Sequence, residues 1–63
     1  MCESNVYLKK ENKEELIMKN VAAITPVSEN KMLLKGLLGE SKEIQAIIED
    51  INLMDHKIIL KEL

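Results

Sequence analysis

Ser41-Lys42-Glu43-Ile44-Gln45-Ala46-Ile47-Ile48-Glu49-Asp50-Ile51-Asn52-Leu53 is the stretch whose reading decides the fold. Ile44, Ile47, Ile48 and Ile51 recur at i, i+3, i+4 and i+7, the template of an amphipathic helix, with Ser41 placed to cap it. Read as a strand, Ile44, Ala46 and Ile48 alternate, and a bulge near Glu49-Asp50 must reset the phase to Ile51 and Leu53. Periodicity by itself favours the helix. The four β-branched isoleucines in so short a span favour the strand. So does the polar turn Met54-Asp55-His56, which leads into a further extended run, Lys57-Ile58-Ile59-Leu60.

The rest of the chain reads as strands. Cys2, Ser4, Val6 and Leu8 share one parity and Glu3, Asn5, Tyr7 and Lys9 the other, the pattern of a half-buried strand. Glu11-Asn12-Lys13-Glu14 is a polar turn, and Leu16-Ile17-Met18 returns as the second arm of a hairpin. A third short strand is expected over Val21–Val27, with Pro26 marking an edge or an exit because it has no amide donor. Ser28-Glu29-Asn30-Lys31 turns into a fourth strand, Met32-Leu33-Leu34-Lys35. Gly36 and Gly39, the only glycines, fall where the chain must bend sharply or take positive φ. Short strands separated by polar turns predict an all-β fold, a small barrel of mostly antiparallel strands. Residues 1–63 are expected to form one domain.

At 63 residues with a single cysteine, the chain has no internal disulfide to reinforce a small core. Oligomerisation or a metal is the expected supplement, and a homodimer the simplest form of it. The apolar share of 46% and charged share of 32% are those of a globular chain and not of a disordered one. No apolar run approaches membrane-spanning length, and the polar start is unlike a signal peptide, so a cytoplasmic location is expected, where Cys2 stays a thiol.

Charge bears on partners. The formal net charge is −2, arginine is absent, and Tyr7 is the only aromatic residue. Nucleic-acid readers show a basic face, with arginine for bidentate contacts or aromatic rings for base stacking. Here the lysines are interleaved with glutamates, the pattern of a solvated surface.

Catalytic templates find little. Cys2 with His56 is the one conceivable thiolate dyad, but the two residues stand at opposite ends of the sequence with no glycine-rich oxyanion loop beside either. His56 in its polar turn reads as a solvated histidine. Adjacent carboxylates such as Glu14-Glu15 and Glu49-Asp50 point to opposite faces of a strand and make no acid/base pair. Gly36 and Gly39 do not have the spacing of a phosphate loop or dinucleotide fingerprint. No enzyme is expected.

Metal binding is the chemistry the chain start can supply. A lone cysteine can be a small buried hydrophobe. It can also ligate, because the thiolate of Cys2 has a main-chain nitrogen beside it, either its amide or, once Met1 is removed, its α-amine. Sulfur and nitrogen together form a compact chelate. A two-fold axis doubles this to four donors that can lie in a plane, a set suited to Ni(II) or Cu(II), whereas tetrahedral zinc takes a denser Cys/His set.

Met1-Cys2-Glu3 leading into Val6-Tyr7-Leu8, then Gly39-Glu40-Ser41-Lys42 with Ile44 and Ala46, and finally His56-Lys57-Ile58-Ile59-Leu60, resemble the short CooT-type proteins over nearly the whole chain. Members of that family are described as nickel-binding accessory proteins for maturation of carbon monoxide dehydrogenase, and an older label calls them predicted RNA-binding proteins. The resemblance implies a small β-barrel homodimer with the cysteine at position two, here Cys2, as the Ni(II) ligand. It implies no ligand role for His56, and it tips the stretch after Gly39 toward strand. Two classes of function follow: a nickel-handling protein that serves a nickel enzyme such as carbon monoxide dehydrogenase, and a small nucleic-acid-binding barrel. The acidic balance of the chain favours the first, because neutralising phosphates needs a basic surface.

Overall fold

The computed structural model describes residues 3–63. Five strands run through these residues: β1 (Ser4–Lys10), β2 (Lys13–Ser28), β3 (Lys31–Gly36), β4 (Ser41–Asn52) and β5 (Lys57–Glu62). Each is hydrogen-bonded to the next, antiparallel, and a parallel pairing of β1 with β5 closes the ring into a barrel. The barrel expectation holds, as does its mostly antiparallel character.

The decisive stretch is a strand. β4 runs extended through residues 41–52, and its register against β5 slips between Ile48 and Asp50, so that Glu49 is the extra residue. This is the bulge the sequence requires for a strand. The apparent helical period comes from isoleucines on both faces: Ala46 is fully buried, whereas Ile47, Ile48 and Ile51 are each more than a third exposed.

The second and third expected strands are one. β2 continues through Asn20, which takes φ 54° and lets the strand bend without ending. Register slips against β1 and β3 along β2 leave extra residues that curl it, so that its first half pairs with β1 and its second with β3. β1 pairs with β2 only as far as Val21, so among the described residues Pro26 has a strand partner on one side alone, Met32 of β3, just before β2 exits at Ser28; the edge and exit expected of it are both observed. Of the two glycines, Gly39 takes φ 92°. Gly36 serves a different need: the Glu40 carboxylate folds over it where a Cβ would stand.

The core follows the strand parities. Val6 and Leu8 of β1, Val21 of β2, Met32 and Leu34 of β3, Ala46 of β4 and Leu60 of β5 are its buried apolar side chains, with Ile17, Met18, Ile24, Ile44 and Ile58 packed around them. Among the described residues no buried polar or charged side chain interrupts it. A core this small offsets chain entropy only narrowly.

Candidate metal centre at the chain start

Cys2 lies outside the described residues, and what the structure shows is the end of the barrel at which β1 begins. The parallel closure sets Asn5 opposite Lys57, and the Asn5 amide donates to the His56 carbonyl at 2.9 Å. The Asn5 side chain reaches the other way: its Oδ1 accepts the amide of Asn20 at 3.3 Å, and the Asn20 carbonyl accepts the amide of Leu37 at 3.1 Å. The start of β1 is thereby tied to the β4–β5 turn and to the bend of β2, and the bend to the β3–β4 turn.

Those turns are internally braced. In the β4–β5 turn the Asp55 amide donates to Asn52 Oδ1 at 3.0 Å, and Asn52 Nδ2 donates to Asp55 Oδ2 at 3.1 Å, the side chain standing in for backbone as in an Asx turn. His56 closes this turn at φ 53°, a left-handed conformation that an L residue holds only under constraint. In the β3–β4 turn Glu40 Oε1 accepts the Leu38 amide at 3.1 Å.

His56, remote from β1 in sequence, is thus a neighbour of its start in space. Its role visible here is played by the carbonyl, and its side chain is exposed. The adjacent carboxylates take surface roles: Glu14 meets Lys57 at 3.0 Å, and Glu49 meets Lys9 at 3.2 Å. Lys57 also lies 4.9 Å from the centre of the Tyr7 ring, a cation–π distance. The hydrogen bond to Glu14, with that carboxylate's charge, raises the pKa of Lys57 above its ordinary 10.5. Among the described residues no three or more His, Cys, Asp or Glu side chains gather as a metal site. The donor set expected from the sequence, the Cys2 sulfur with main-chain nitrogen beside it, lies outside those residues.

One feature escaped sequence reasoning. Beside the start of β1 lies an apolar depression to which all five strands contribute, lined by Ser4, Ile24, Met32, Ile48, Ile51 and Ile58 among others. Its trace in the sequence is the stretch Asn20–Ser28, nine residues without a charge and the longest such run in the chain.

A small closed β-barrel with a cysteine just ahead of its first strand is the class that fold and chain start define. The sequence matches the model of the CO dehydrogenase accessory protein CooT over residues 1–61, and the chain belongs to that family. A crystal structure assigned to CooT from Carboxydothermus hydrogenoformans superposes with a TM-score of 0.89 at 34% identity, covering 98% of each chain. Comparison with curated proteins finds no match. Family membership carries a CO dehydrogenase accessory role.

Proposed function

We propose that this protein binds Ni(II) through Cys2 at a site shared by the two chains of a homodimer, and supports maturation of a nickel enzyme such as carbon monoxide dehydrogenase without catalysing a reaction itself. The observation that carries the reading is the family match, which extends over residues 1–61 and so includes Cys2. The start of β1, which follows Cys2 closely in sequence, is tied through Asn5 to the β4–β5 turn and to the bend of β2.

Each chain contributes one thiolate and one nitrogen. Four such donors accommodate the planar preference of Ni(II), and the metal is cargo to be passed on. Ligation needs deprotonated donors, so uptake releases protons and weakens as pH falls. Nucleic acid is the weaker alternative, because the net charge is −2 and Lys9, Lys10, Lys31 and Lys57 are each paired with a glutamate.

Calorimetric titration with Ni(II), Cu(II) and Zn(II), with absorption spectra recorded in parallel, tests the proposal. One Ni(II) per dimer and a thiolate charge-transfer band are expected in the wild type. Cys2→Ser should lose both the band and the tight binding, and His56→Ala should keep them. Full nickel affinity in Cys2→Ser overturns the assignment.

A further inference from the structure

Of the four methionines in the sequence, Met18, Met32 and Met54 fall within the described residues, and the barrel places them differently. Met32 belongs to the buried core at 9% exposure, and Met18 packs half-buried against that core. Met54 is 90% exposed. It stands in the β4–β5 turn beside Leu53, itself 76% exposed. A methionine stabilises a fold by filling gaps among apolar neighbours, and a side chain this open to water fills none.

The thioether still has its chemistry. Its sulfur lone pair attacks an oxygen of a hydroperoxide: a sulfur–oxygen bond forms, the oxygen–oxygen bond breaks, and the second oxygen leaves, protonated, as water or an alcohol. Sulfur is oxidised by two electrons and the peroxide is reduced by two. The sulfoxide is polar and chiral where the thioether was apolar, and methionine sulfoxide reductases reverse the change. In that reversal a dithiol becomes a disulfide and the oxygen leaves as water.

The turn around Met54 holds its shape without the Met54 side chain. The Asp55 amide donates to Asn52 Oδ1 at 3.0 Å, Asn52 Nδ2 donates to Asp55 Oδ2 at 3.1 Å, and the His56 amide donates to the Leu53 carbonyl at 3.4 Å. An oxygen added at Met54 is solvated and leaves these bonds in place. At Met32 the same oxygen would sit among Val6, Leu34 and Leu60 with nothing to donate to it, a costly burial of a polar group. The packing that makes oxidation harmful there also shields the sulfur from peroxide.

We infer that Met54 is a reversible oxidation site, which takes an oxygen atom from a hydroperoxide and turns the apolar pair Leu53-Met54 polar while the barrel stays folded. This site is separate from the nickel reading and does not depend on it.

A time course of the full chain in hydrogen peroxide, followed by peptide mapping with mass spectrometry, tests it. Cys2 oxidises in parallel and is followed on its own peptide, and a second course on Cys2→Ser is free of disulfide-linked products. Met54 sulfoxide should form about tenfold or more faster than Met32 sulfoxide in the folded protein. In concentrated urea the two rates should converge, since the difference comes from the fold. Protein oxidised once should elute earlier from a hydrophobic-interaction column with its thermal midpoint unchanged, and methionine sulfoxide reductases should restore its mass and retention. Met54→Leu should fold normally and lose the fast phase.

Met18 or Met32 reacting as fast as Met54 in the folded protein, a preference for Met54 that persists in urea, or unfolding on oxidation at Met54 overturns the inference.

Discussion

The Asn5 amide and the His56 carbonyl are joined by a 2.9 Å hydrogen bond across the one parallel pairing in the barrel. That bond links the first strand to the turn before the last. It also sets a condition on His56, whose carbonyl reaches Asn5 from a left-handed backbone at φ 53°.

Glycine tolerates that conformation and a β-branched residue does not. His56→Gly should leave the denaturation midpoint unchanged or raised, whereas His56→Val should cost about 1–2 kcal/mol. Urea unfolding of the two variants decides it. Equal stability in both would mean that the turn relaxes freely.

Leu34 is fully buried, and Leu38, four residues later, is 94% exposed. Truncating a buried leucine costs about 2–5 kcal/mol, because transfer free energy is lost and a cavity remains. An exposed one costs under about 0.5 kcal/mol. Thermal unfolding at matched protein concentration should therefore separate Leu34→Ala from Leu38→Ala by more than 1 kcal/mol. A smaller gap would misplace the core.

A methyl at Gly36 would stand where the Glu40 carboxylate lies, displacing the group that accepts the Leu38 amide. Gly36→Ala should cost about 1 kcal/mol, the net worth of such a hydrogen bond. In a Glu40→Ala background most of that cost should vanish. A double-mutant cycle measures the coupling, and strict additivity would count against it.

Lys57 carries a pKa raised above 10.5, first by its hydrogen bond to Glu14 and then by that carboxylate's charge. A lysine whose folded pKa is raised adds stability that is fully present below its unfolded value. The contribution is lost as pH climbs through the raised folded value. Wild type should accordingly lose stability more steeply than Glu14→Gln as pH rises above about 10.5, and the Lys57 titration followed by NMR should move down in that variant. Identical titrations would show that the pair does not persist in solution.

Much of this protein is set locally. Alternating parity placed Val6 and Leu8 inside, and β-branched residues between polar turns pointed to strands, because side-chain direction in a strand depends only on position parity. The bulge at Glu49 was legible for the same reason: no other device carries Ile48 and Ile51 to one side of a strand. Cys2 stood out in the sequence as the only thiol, with main-chain nitrogen beside it, and the ligand role proposed for it comes from the family resemblance. What local pattern could not decide was whether the isoleucines of 44–51 formed a helix. Their period fits one, and it is pairing with β3 and β5, both distant in sequence, that holds the segment extended. The merging of two expected strands into β2 depended likewise on Asn20 finding partners in Asn5 and Leu37. The meeting of Asn5 with His56 and the apolar depression that gathers all five strands are products of ring closure. Only tertiary structure creates such neighbours, because contacts between residues some fifty positions apart leave no periodic trace in either segment.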